Sequence, residues 1–116
     1  MTESFDEDRF AALLDLGGPD MAAELTRRLD EDLTNVGLAL AMAHADRAVL
    51  QAQSHILVSI AGTIGATRLF QLAKQFHALA VQGESGGLAA ALPELRRVLN
   101  DVILRIKSDR FGRGTA

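Results

Sequence analysis

The chain has 116 residues, nearly half of them apolar, with 12 Lys and Arg against 15 Asp and Glu. That length supports one domain around one core and leaves no room for a cofactor domain beside a substrate domain. A net charge of −3 lacks the basic excess that a phosphate backbone demands, so no nucleic-acid partner is expected, and the absence of Cys excludes a disulfide framework, a thiolate zinc site and a cysteine nucleophile.

The first residues are acidic (Glu3, Asp6, Glu7, Asp8) where a signal or transit peptide would be basic and then apolar, so no export is expected. The densest apolar stretch, 56–61, is far shorter than the ~20 residues of a membrane span and contains Ser59. A cytoplasmic protein without a membrane partner is the expectation. Five Phe and no Trp or Tyr leave Leu, Ile, Val and Ala to fill the core.

Breaks are few: two Pro, and Gly gathered mainly at 17–18, 83–87 and 112–114. A short first helix is expected over about 6–16, with Phe10, Leu13 and Leu14 on one side and Gly17 ending it. Pro19 suits the first turn of a second helix, about 19–43, whose stripe is Met21, Leu25, Leu29, Leu33, Val36 and Leu40. Arg27, Arg28, Asp30 and Glu31 form its charged face. Asp46 is the expected N-cap of a third helix reaching about 63, with Leu50, Leu57, Ile60 and Ile64 turned inward. Gly65 separates it from a fourth helix, about 66–81, carrying Leu69, Leu72, Phe76 and Leu79. A Gly-rich loop is expected at 83–87. The last helix has Pro93 near its start and repeats Leu92, Leu95, Leu99, Val102, Ile103 and Ile106 to about 108.

No strand-like alternation, repeat or low-complexity segment occurs. Four long amphipathic helices with short turns bury their stripes as an antiparallel four-helix bundle, with a short additional N-terminal helix over one end. The expectation is therefore an all-α single domain over 1–108, followed by a frayed tail over 109–116 with little but Phe111 to bury.

Three histidines are available for chemistry. His44 falls at an expected helix C-terminus, where a partly cationic ring favours the dipole, and its ordinary role is structural. His77 follows Phe76 on the fourth helix with no catalytic neighbours in sequence, and is read as a surface or half-buried histidine. The three are too scattered for a metal-ligand spacing. His55 stands apart. Its helical neighbours Ala48, Gln51, Ala52, Val58, Ser59 and Gly62 are nearly all small, while Leu57, Ile60 and Ile64 lie roughly 140° to 200° around the helix from it. The ring should therefore face outward, within reach of another protein. Gly62 inside a helix costs up to ~1 kcal/mol relative to Ala, which points either to close approach of a partner or to the nearby helix end.

The segment 54–69 resembles the signature of histidine-containing phosphotransfer (HPt) domains, which reads roughly H-x-L-K-G, then small residues, then L-G-A-x-x-L. His55, Leu57, the small pair Ala61 and Gly62, Ile64, Gly65, Ala66 and Leu69 match in register. Asp46 resembles the family's helix-opening acid, and the helix layout fits almost the whole chain. The resemblance implies a monomeric phosphocarrier without autonomous catalysis. It implies that His55 accepts a phosphoryl group from the aspartyl phosphate of a response-regulator receiver domain, or of a hybrid histidine kinase, and passes it to another receiver. Magnesium is then expected on the receiver, and no cofactor or metal on this chain. Gln51, Ala52, Val58, Ser59 and Gly62 become the expected docking residues around the phosphoacceptor.

Two positions depart from the pattern: the family's Lys three residues after the histidine is Val58 here, and the following Gly is Ser59. A phosphoryl group on His55 would lose a cation one turn away, leaving Gln51 or Ser59 to offer neutral hydrogen bonds. Val58 reads equally as a chance exposed apolar residue or as a hydrophobic docking contact. These departures keep a second function class open, a helical adaptor that binds a receiver or kinase without carrying phosphate. A metal- or ligand-binding bundle would need inward Glu-x-x-His ligands, which are absent.

Overall fold

The computed structural model describes residues 4–114, with side chains through 109, and no strand occurs among the described residues. Five helices follow in order: α1 (Glu7–Asp15), α2 (Gly18–Met42), α3 (Arg47–Ile64), α4 (Thr67–Gln82) and α5 (Ser85–Gly114). None among the described residues is long and apolar enough to cross a membrane.

Starts and stops have local causes. Asp6 caps α1 by accepting from the Arg9 N–H at 3.0 Å. Asp46 caps α3 by accepting from the Ala48 and Val49 N–H groups at 3.1 and 3.3 Å. Both carboxylates satisfy donors that a first turn leaves unpaired. Pro19 lies at the start of α2 as expected, where no N–H is needed. Gly65 and Gly83 end α3 and α4 in left-handed backbone, with φ of +81° and +74°. That conformation costs a residue with a Cβ roughly 1–2 kcal/mol.

α3 packs chiefly on α4 and α2 on α5, α4 also meets α5, and α1 touches α2 and α3. Their shared core includes Leu33, Val36 and Leu40 of α2, Leu50, Leu57 and Ile64 of α3, Leu69 and Phe76 of α4, and Leu95, Leu99 and Ile106 of α5. Full burial of such a side chain contributes roughly 1.5–3 kcal/mol. Phe10 and Leu14 attach α1 to the same core.

Several expected positions shift. Met21, placed in the α2 stripe by its spacing, is 63% exposed, and Ala22 and Thr26 are buried instead. A stripe stepped in threes and fours drifts around a straight helix of 25 residues, so its first member leaves the core. Thr26 tolerates burial because its hydroxyl donates to the Ala23 carbonyl at 2.9 Å. Asp30, expected on the charged face, is only 3% exposed. Lys107 Nζ of α5 lies 3.0 Å from its carboxylate, and Thr34 Oγ1 donates to it at 3.3 Å, which offsets the cost of removing that charge from water. Ile60 is half-buried rather than inward, and Leu88 and Val98 join the core unforeseen.

The largest departure is the start of α5. The helix begins at Ser85, well before Pro93, so the expected loop at 83–87 shrinks to Gly83 and Glu84. A Cβ on Gly87 would stand 3.0 Å from Leu79 Cδ2, so this glycine is small because α4 and α5 approach there. Pro93 and Ala89, whose carbonyl loses its N–H partner to the proline, are both exposed, and water can replace the missing bond. The backbone stays helical to Gly114, past the end of the apolar spacing at about 108. Residues 115–116 of the expected tail lie outside the described residues.

The N-terminal segment is fastened to the α3–α4 turn. Asp6 N donates to the Gly65 carbonyl at 2.7 Å, and Arg68 N donates to the Ser4 carbonyl at 3.1 Å. The Arg105 guanidinium of α5 pairs with Glu7, its Nε 2.9 Å from Oε2, and lies over the rings of Phe5 and Phe10. These contacts hold α1 beside the end of α3 and so shape the surface described next.

Candidate functional site

α3 turns Leu50, Ser54, Leu57, Ala61 and Ile64 into the core. His55 stands on the opposite side of the helix and is exposed, as its neighbours' spacing predicts. No described residue hydrogen-bonds to either of its ring nitrogens. The contact it does make is with His77 of α4, at a centroid separation of 5.6 Å and an interplanar angle of 42°. His77, read from the sequence as a surface or half-buried histidine, is half-buried, and the fold back of α4 onto α3 gives it a neighbour that sequence spacing did not show: the two imidazoles come together.

His77 is half-buried and anchored. Its Nδ1 lies 3.2 Å from the Gln51 carbonyl oxygen and 3.2 Å from Ser54 Oγ. Ser54 is fully buried, and its hydroxyl donates to that same carbonyl at 3.1 Å. A carbonyl oxygen can only accept, so Nδ1 carries the proton that reaches Gln51. No hydrogen bond to its Nε2 occurs among the described residues.

The expected docking residues divide into two sets. Val58, Ser59 and Gly62 line an open groove together with Thr63, Phe70 of α4, and Asp6 and Arg9 near the start of α1. Gln51 and Ala52 lie a turn to the other side of His55, outside that groove. Ala52 and Ser59 are exposed, whereas Val58 is half-buried against the core. Gly62 has a cause that neither sequence alternative named. A Cβ there would stand 3.1 Å from Phe70 Cε1, so the residue is small to admit the Phe70 ring. Lys74 Nζ lies 5.2 Å from that ring's centroid and adds a cation beside the groove.

His44 is not part of this surface. It is exposed in the turn between α2 and α3, in left-handed backbone with φ of +48°, and shares no hydrogen bond or ring contact with the other histidines. Among the described residues no three His, Asp or Glu side chains converge where a metal ion could be held.

Ser54, Phe70, Lys74 and His77 were missed as parts of the site, yet a signal for them existed. With only Gly65 and Ala66 between α3 and α4, equal counts outward from Ala66 set Gly62 against Phe70 and His55 against His77. Compared with known proteins, the chain matches no family model, no curated protein and no solved structure.

Proposed function

We propose that this chain is a histidine phosphotransfer protein, in which His55 accepts a phosphoryl group from the aspartyl phosphate of one receiver domain and passes it to another. The observation that carries the reading is an exposed imidazole whose two nitrogens are hydrogen-bonded by none of the described residues, on a helix segment with the HPt signature register. A neutral imidazole presents a lone pair to phosphorus without help from a general base. One ring nitrogen forms the N–P bond while the aspartyl P–O bond breaks and the carboxylate departs with its electron pair. Such a transfer depends on in-line positioning and charge neutralisation, which a receiver with its own magnesium would contribute. The chain is then a phosphocarrier without autonomous catalysis, acting as a monomer. An antiparallel four-helix bundle of α2 to α5, with α1 across one end, suits this task by holding α3 as a stiff outer rod.

The groove of Val58, Ser59 and Gly62 fits the docking role. It opens one turn beyond His55 along α3 and offers apolar and small polar surface rimmed by Asp6 and Arg9, so a receiver could lie close to the helix. The test is incubation with phosphorylated receiver domains and magnesium, followed by assay for acid-labile, base-stable phosphate on this chain. Transfer from at least one receiver is expected. Tight receiver binding without label would instead favour a helical adaptor.

A further inference from the structure

We propose that His77, as an imidazolium, is the charge partner of a phosphoryl group on His55, so that the chain takes up a proton when it takes up the phosphoryl group. The inference rests on the phosphotransfer reading and adds a regulation to it. Val58 stands where the phosphotransfer signature carries a Lys, and among the described residues no cation shares a hydrogen bond or ring contact with His55. His77 is in contact with His55. Its Nδ1–H is committed to the Gln51 carbonyl and the Ser54 hydroxyl, so the ring is held in place and its charge changes only at Nε2. When neutral, Nε2 presents a lone pair, which repels a phosphoryl oxygen. When protonated, it presents an N–H donor and a positive charge. A phosphoryl group extends the His55 ring by two bonds, and the two ring centroids are 5.6 Å apart.

The surroundings leave this role to His77. From α3 it is faced by His55, Ser54 and Gln51, of which only His55 is an ionisable residue type, and Arg47 lies farther along against Gly83 at the end of α4. On α4 itself the nearest charge is Lys74, one turn away and engaged with the Phe70 ring. α5 covers another flank of α4, where Leu79 meets Gly87 and Arg68 pairs with Glu94 at 3.4 Å. A lysine ordinarily keeps its charge across the neutral range, so a contribution from that side chain would not vary with pH there. Histidine is the side chain that changes charge between about pH 5 and 8.

The step balances. The donor's bond to phosphorus breaks and its leaving group keeps the electron pair, one nitrogen of His55 forms the N–P bond, and Nε2 of His77 takes one proton from water. Phosphoramidate is a suitable donor, since it releases ammonia and needs no receiver. The experiment measures the equilibrium fraction of phosphorylated His55 at fixed phosphoramidate and ammonium, by phosphorus NMR, for wild type, His77→Gln and Lys74→Gln, with thermal unfolding to establish that each is folded. The ratio of wild type to His77→Gln should be about tenfold at pH 6 and approach unity towards pH 8, as expected for an opposite charge within ~4–6 Å. Lys74→Gln should retain the wild-type pH dependence. A ratio that stays constant with pH would overturn the proton coupling while leaving His55 as the acceptor. A flat wild-type profile with a steep loss in Lys74→Gln would assign the charge to Lys74 instead. Absence of label from His55 in every protein would overturn both this inference and the phosphotransfer reading.

Discussion

At Ser59 the groove beside His55 can be filled without disturbing the core. The side chain is exposed, and the residue's carbonyl accepts from Thr63 Oγ1 at 2.9 Å. Ser59→Leu should therefore leave thermal stability within about 0.5 kcal/mol, as most surface substitutions do. It should slow transfer from a receiver by about 10- to 100-fold, because a misplacement of about 1 Å is costly for near-attack geometry. Labelling by phosphoramidate, which docks on nothing, should be unaffected, and equal receiver rates for mutant and wild type would remove the groove from the docking surface. Gly62 cannot serve for this test, since a side chain there collides with Phe70. Residue by residue, the outward direction of His55 was legible from helical spacing. The reason for Gly62 was not, because it belongs to a neighbour on another helix.

The α3–α4 turn is the element on which the site's geometry depends. Gly65 holds φ at +81°, and a Cβ there would stand 3.1 Å from the Asp6 carbonyl oxygen and 3.2 Å from Arg9 Cβ. Gly65→Ala combines backbone strain with a collision against a segment whose Asp6 N–H donates to the Gly65 carbonyl. A loss of about 1–3 kcal/mol is expected, read as a lower urea midpoint, together with faster hydrogen exchange at the Asp6 and Arg68 amides. An unchanged midpoint would mean that the turn tolerates a side chain. Asp46, Pro19 and Gly65 announced helix boundaries because capping chemistry is local in sequence. The start of α5 was hidden for the opposite reason: Gly86, Gly87 and Pro93 read as breakers, whereas Leu79 demands the small residue at 87 and solvent exposure makes the proline tolerable.

Across the whole molecule, Glu7 and Arg105 tie the first helix to the last. The Arg105 hydrogen bond, opposed by partial burial and assisted by its charge, holds the Glu7 carboxyl below the usual carboxylate range. A depressed folded-state value means that this contribution is complete above the unfolded carboxylate range and is lost as pH falls through the lowered one. The pair is largely exposed, so its worth is at most about 1 kcal/mol. The stability difference between wild type and Glu7→Gln should thus be present near neutral pH and shrink as pH falls below the usual carboxylate range, and a difference that does not change with acidification would place the effect elsewhere. Long-range pairs of this kind, like Asp30 with Lys107, leave no trace in periodicity, which is why the all-helical class was legible and the buried carboxylate was not. Site-resolved phosphate labelling addresses the assignment of His55 as phosphoacceptor most directly. Wild type, His44→Gln and His77→Gln should accept acid-labile phosphate from a phosphorylated receiver with magnesium, while His55→Gln, equally folded, accepts none. Label that survives on His55→Gln would contradict the account.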